Sequence, residues 1–414
     1  MALWLALLAL AGSTLAQAQR VVMGDIWKPL PDLSGFATDS NDTISRRALS
    51  IVLAQKPDRT LYWLNVSMGT PGQKQSLQLD TASVGLLVPA TGSNLCSATA
   101  VLCSILGSFT SLLSSTFSDT NQQTTEGFLD GSSVTGDWIY DTLTLGGVSV
   151  ASQLAVLGTS GTGISNGVMG IGFPASYPTV NHNLAAQGKI SSNSYSLWLD
   201  SLVSIKWHDS FWRPNTARFI PPLKQVPVIG SQRSDGSTSY NSPTIQLTGV
   251  STTAGSVTTG QIGSGYSVEA ILDTGTTTTV LPSDVATNII NALGAMYYPI
   301  GGTSGNAVIL CSAASGSQSV SFQFGGSSGP SIIVQTSELV LGNLGSLNGI
   351  AYCQFGIYSA PSSDNLPTIM GDTFLRSAYV VYHLDADTIG LAQTNHNGGS
   401  PKIIELPQSG IPST

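Results

Sequence analysis

Charge is what this chain has least of. Asp, Glu, Lys and Arg together make up 9% of its 414 residues, against about 25% in an average soluble domain. With 15 Lys and Arg against 23 Asp and Glu, the net charge is -8, which excludes a nucleic-acid partner because no basic stripe could neutralise phosphates. So few carboxylates also means little charge pairing to lose in acid. The four histidines, His182, His208, His383 and His396, are scattered, and no C-x-x-C occurs, so a zinc site is not expected. Long apolar runs are missing too, except at the start. Ala2 to Leu15 is almost wholly apolar and is followed by Ala16-Gln17-Ala18, which reads as a signal peptide over 1–18, too short to span a bilayer. A membrane span is therefore not expected.

Export makes the four cysteines candidates for two disulfides. The simplest connectivity joins Cys96 to Cys103 and Cys311 to Cys353; the sequence leaves the other two open. Asn41 and Asn65 stand in N-x-[ST] acceptor sites, in keeping with a secretory route.

What the chain has in plenty is glycine, 45 residues, alongside 41% hydrophobic residues. That combination favours a turn-rich all-β architecture, and the length favours two domains. An internal repeat sharpens this. Leu77-Gln78-Leu79-Asp80-Thr81-Ala82-Ser83 and Ala270-Ile271-Leu272-Asp273-Thr274-Gly275-Thr276 each pass from apolar residues to Asp-Thr-small, with Pro89 and Pro282 at the same distance beyond. Further on, each half repeats a second motif, Val168-Met169-Gly170 and Ile369-Met370-Gly371. Two matched features in matched order imply two related β-rich lobes. Short strands are expected at Leu61 to Ser67, Ser76 to Asp80, Asp141 to Leu145, Gln153 to Leu157, Tyr195 to Leu199, Thr244 to Leu247, Ala270 to Asp273, Ser319 to Phe324, Ser331 to Gln335 and Ala378 to Tyr382. One short helix per half is expected, at Asn183 to Gln187 before Gly188 and after a Ser283-Asp284 cap before Gly294.

Each Asp ends an apolar strand and so arrives at the floor of a cleft between lobes. Thr81, Ala82, Ser83 and Thr274, Gly275, Thr276 would support the pair, with Ser83 and Thr276 holding the outer carboxylate oxygens. Two carboxylates about 3 Å apart cannot both ionise cheaply and share one proton, which makes them a general acid and a general base together.

These segments, with Tyr62-Trp63-Leu64-Asn65-Val66-Ser67-Met68-Gly69-Thr70-Pro71 and Gly371-Asp372-Thr373-Phe374-Leu375-Arg376 before Tyr379-Val380-Val381-Tyr382, resemble a fungal pepsin-like aspartic protease over roughly Leu61 to Gln393. The resemblance implies a bilobal fold and an endopeptidase acting on peptide or protein substrates at acidic pH. It implies no cofactor, a monomer, secretion with the vacuole or cell wall as alternatives, and Asp80 and Asp273 as catalytic residues. The cysteine pairing above is also the family's. It divides the chain into a propeptide or linker (19–60), an N-terminal lobe (61–200), an inter-lobe segment (201–240), a C-terminal lobe (241–395) and a polar tail (396–414). Lys28 and Lys56 are candidates for a lysine that masks the carboxylates, and Arg46-Arg47 for a processing site.

The chain departs from the family in places. Phe128 and Leu87 stand where the family has tyrosine and tryptophan, in a flap of Phe128, Leu129, Asp130, Gly131 and Ser132 and in the facing wall. Phe128, Leu87, Ile139 and Val280 would make apolar cleft walls and favour cleavage beside hydrophobic residues. Ala82 replaces a glycine, which makes a catalytically weak or inactive peptide-binding protein the alternative. Residues 203–213 are rich in aromatic and charged side chains, unlike their surroundings, and read as an insertion or a retained intron.

Overall fold

A computed structural model describes residues 61–97, 100–164, 166–173, 177–202, 214–254, 257–262, 267–298, 302, 304–363, 366–400 and 402–412, and the strand Leu53–Gln55. The expected signal peptide, Asn41, Lys28, Lys56, Arg46-Arg47 and 203–213 lie outside these residues.

Three sheets carry the fold. In the first half, eight strands follow the order Leu53–Gln55, Tyr62–Met68, Gln73–Asp80, Val168–Gly170, Leu86–Pro89, Val148–Thr162, Ser133–Leu145 and Ser118–Gly127. In the second, an eleven-stranded sheet includes the central run Ile350–Ala360, Thr279–Pro282, Thr368–Met370, Val268–Leu272 and Thr244–Ala254. The long hairpin of the first half turns at Gly146 and Gly147, both at positive φ (52° and 74°), as a tight two-residue hairpin turn requires. The fold is all-β and bilobal, as expected.

The repeat has a topological meaning. Leu79 pairs with Met169 in parallel, while Leu86 pairs with Met169 antiparallel. Ile271 pairs with Ile369 in parallel and Val280 with the same Ile369 antiparallel. In both halves, then, the strand that delivers the Asp and the strand that leaves it flank one short Met-containing strand. The glycine closing that strand has no room for a side chain: a Cβ on Gly170 would lie 2.7 Å from Ser83 and Val84 backbone atoms, and on Gly371 2.3 Å from the Thr276 and Thr278 carbonyl oxygens. Both lobes therefore need the Met-Gly pair for the same close approach.

The third sheet has four strands, Phe219–Pro227, Thr388–Thr394, Ala378–His383 and Ser194–Leu197, and takes strands from both halves. Tyr195 and Tyr382, fully buried, stack across it at 4.6 Å. The segment read as a polar tail lies against this sheet: Leu406 and Ile411 are buried with Trp198, Phe219, Leu223 and Tyr379. His383 and Gln225 bond to the carbonyls of Pro407 and Ile411.

Helices are few. Val180–Ala186 starts from Thr179, whose hydroxyl accepts from the His182 N–H, earlier than the spacing suggested. Ser283–Ala292 has Pro282 at its cap position with no side-chain capping bond, so the expected Ser283 cap is not made; Gly294 at φ 72° follows the end of the helix. The disulfides are Cys96–Cys103 and Cys311–Cys353. Asn65 is exposed on its strand and its amide oxygen accepts from Ser76.

Candidate active site

Two loops meet where the lobes meet. Asp80 closes the strand Gln73–Asp80, and Asp273 follows Val268–Leu272; they are 7% and 4% exposed. The loops are tied by the residues that follow. The Thr81 hydroxyl donates to the Leu272 carbonyl at 2.8 Å, and the Thr274 hydroxyl to the Leu79 carbonyl at 2.9 Å. Each hydroxyl also accepts the other threonine's N–H at 3.1 Å. Both hydroxyls and both N–H groups of this knot are satisfied, as burial demands.

The carboxylates are held differently. Asp80 Oδ1 accepts from the N–H groups of Ala82 (2.9 Å) and Ser83 (3.0 Å). Asp273 Oδ1 accepts from Gly275 N–H at 2.7 Å, and Oδ2 from the Thr276 hydroxyl at 2.5 Å. Thr276 thus holds an outer oxygen as expected, but Ser83 does not. Its hydroxyl oxygen is buried with no hydrogen-bond partner, and only its N–H reaches Asp80. Ala82 needs no positive φ, so an alanine keeps the backbone donor that a glycine would supply.

The two carboxyls come together at Gly275. Burial above all, and then the Asp80 charge, push Asp273 up to about 7, against the opposing pull of Thr276 and Gly275. Gly275 is the point of tightest approach: a Cβ there would lie 2.9 Å from Asp80 Cγ and Oδ2 and 3.0 Å from Asp273 Oδ1.

The dyad opens into a cleft of about 530 Å³. Phe128, Leu129, Asp130 and Ser132 of the hairpin tip line it, as do Leu87, Ala82, Ser83, Gly275 and Thr276. Gly131 sits in the turn at φ 82°, while Asp130 accepts the Ser132 N–H. Leu87 is buried in one cluster with Leu95, Val134, Val156 and Val168, against which Phe128 and Trp138 pack. Two expected wall residues are not there. Ile139 is fully buried in the main core, and Val280 is buried with Ala360 and Ile369.

Behind the dyad lies a group the sequence reading passed over. Asp372 is fully buried with neither carboxyl oxygen hydrogen-bonded. Burial holds its pKa well above the carboxylate range; Arg376 opposes this, and Asp273 and Asp80 add to it. Arg376, also fully buried, donates from Nε to Glu338 Oε2 and from a terminal nitrogen to the Glu338 carbonyl, both at 2.8 Å. Spacing within Asp372-Thr373-Phe374-Leu375-Arg376 hints at the helical turn, but the Glu338 partner comes from the separate short helix Thr336–Leu339.

Among the described residues no cluster of three His, Cys, Asp or Glu could hold a metal, and no helix is long and apolar enough to cross a membrane.

Known proteins show the same pattern. Residues 61–394 match the eukaryotic aspartyl protease family. A protein named Probable aspartic-type endopeptidase opsB, from Aspergillus fumigatus, is 35% identical over 84% of this chain and 71% of its own length. Secreted aspartic protease 3 of Candida albicans is 29% identical over 91% of this chain and 90% of its own. The Acid protease of Saccharomycopsis fibuligera is 26% identical over 84% of each. Matched across both lobes and both Asp-Thr loops, the chain belongs to the eukaryotic aspartyl protease family.

Proposed function

We propose that the protein is a secreted endopeptidase that cuts peptide bonds in extended substrates at acidic pH, with Asp80 and Asp273 as its catalytic pair. The observation that carries this is the closely spaced pair of buried carboxyls at the cleft floor, each fixed by its own loop and the loops knotted by Thr81 and Thr274.

Aspartic proteases are themselves the reference case for two carboxyls sharing one proton. Here the raised Asp273 holds that proton, while Asp80 is held by two N–H donors. Asp80 takes a proton from a substrate water as that water attacks the peptide carbonyl; Asp273 gives its proton to the carbonyl oxygen. The tetrahedral diol then collapses as a proton passes to the leaving amine, and the C–N bond breaks. The chemistry needs no covalent intermediate. The flap of Phe128 to Ser132 covers the peptide, whose backbone lies extended across both lobes.

Secretion is supported by the apolar Ala2 to Leu15 run, by two disulfides and by the relative named as secreted; acidic operation is supported by the relative named an acid protease. The test is digestion of a denatured protein at mildly acidic pH, with and without a statine-type transition-state analogue. Cleavage that the analogue blocks and Asp273→Asn abolishes is the expected result. Analogue binding without cleavage would leave a peptide-binding protein instead.

A further inference from the structure

The cleft has a sign as well as a shape. Its ionisable side chains are Asp80, Asp273, Glu126 and Asp130, and no Lys, Arg or His lines it among the described residues. Three of the four have work already. The dyad is the reacting pair, and Asp130, exposed at the hairpin tip, accepts the Ser132 N–H within its turn. Glu126 is the remainder.

Strand alternation puts Thr124, Glu126 and Phe128 on one face of the Ser118–Gly127 arm and its tip, and those three are half-buried while 123, 125, 127 and 129 are exposed. Glu126 is therefore turned inward with Phe128. Its hydrogen bond is a long one, 3.4 Å from the Thr124 hydroxyl, and no cation answers its charge among the described residues.

Tyr177 is near enough to feel the Glu126 charge. Its ring meets Trp138 edge-on at 4.8 Å, and its hydroxyl lies 3.4 Å from where a methyl on the cleft residue Gly85 would stand. Burial first, and the Glu126 charge second, raise the phenol to about 12, so it remains a protonated donor. A carboxylate thus stands with the apolar Phe128 and Leu87 on the dyad's own cleft.

An inward carboxylate without a counter-charge gains most from a ligand that brings one. A lysine or arginine fits both parts of the surface: its methylene stem lies along Phe128, and its cation reaches the carboxylate. We infer that Glu126 is a specificity-determining residue that draws a substrate Lys or Arg side chain into the cleft, close to the bond that is cut. This rests on the proteolytic reading above, and it differs from a purely apolar cleft, which has no use for Glu126.

The experiment has two readouts. Digest products sequenced by mass spectrometry locate the position at which Lys or Arg is enriched. Peptide pairs with Lys or norleucine at that position then give a ratio of kcat/KM for the wild type, Glu126→Gln, Glu126→Lys and Asp130→Asn. The expected wild-type ratio favours Lys by roughly tenfold or more, the scale of a charge-assisted contact. It falls to about one in Glu126→Gln, inverts towards a Glu-containing peptide in Glu126→Lys, and persists in Asp130→Asn. A wild-type ratio near one, or a ratio that survives in Glu126→Gln, overturns the inference while leaving proteolysis intact. If no peptide is cut, the proteolytic reading falls. Binding of statine-type analogues carrying Lys or norleucine still decides the selectivity by the same ratios.

Discussion

Thr81 and Thr274 each bond to the loop of the other, so that neither aspartate loop can move without breaking a contact of its counterpart. Thr274→Val keeps the shape but strips the Leu79 carbonyl of its donor and the Thr81 N–H of its acceptor. Each orphaned buried group costs about 1–3 kcal/mol, so a loss of about 2–4 kcal/mol is expected. Denaturant unfolding measures it, and kcat should fall more than KM changes, because the variant loosens the dyad rather than the cleft.

Gly275 and Ala82 hold equivalent places after the two Asp-Thr pairs but should respond unequally. In Gly275→Ala the new methyl meets the Asp80 carboxyl at 2.9 Å, where real Cβ atoms do not sit, so the carboxyl must shift. Small displacements of a reacting group cost up to about a hundredfold in rate; a tenfold to hundredfold drop in kcat in a folded protein is expected. Ala82→Gly keeps the N–H donor to Asp80 and should change kcat far less. Equal losses at both sites would refute this asymmetry.

Stability should fall as pH rises. Asp273 goes from 3.8 unfolded to about 7 folded, and Asp372 is raised in the same direction. The folded state therefore holds protons that the unfolded chain releases. Their contribution is complete below about pH 4 and is lost as pH rises towards 7. Calorimetry across this window should show Tm declining, and declining less steeply in Asp273→Asn. A Tm that climbs from pH 4 to 7 would contradict the assignment.

Breaking the Arg376–Glu338 pair should be severe. Glu338→Ala leaves a buried guanidinium uncompensated, at about 3–5 kcal/mol, and removes the acceptor of the Leu202 N–H. The double variant Glu338→Leu with Arg376→Met should recover much of that loss in thermal unfolding, since no lone charge then remains.

Much of the site could be read from the sequence because it is local and duplicated. Asp80 and Asp273, the threonines after them and the glycines at 170 and 371 sit in short motifs whose repetition exposes them, and the disulfides join neighbours in each half. What escaped depends on distant packing. Nothing in Ser83 shows that its hydroxyl turns away from Asp80 while its N–H turns towards it. Ile139 looked like cleft wall because its hydrophobicity does not reveal which face of a strand the core claims. Glu126 was legible in principle, two residues before Phe128 on one strand, but an exposed-looking carboxylate in a polar run carries no sign that it faces inward. Glu338 and Arg376 meet only in three dimensions.

The four-stranded sheet, shared between the halves and braced by Leu406 and Ile411, has a mechanical consequence. Spreading the lobes would have to shear Tyr195 across Tyr382 and pull apart the Thr81–Thr274 knot at once. The floor of the molecule therefore behaves as a rigid anvil. Admission of a polypeptide falls to the slender hairpin tip at 128–132, whose Leu129 is 61% exposed, so the rate at which a chain enters should follow the bending of that tip rather than any hinge between the halves.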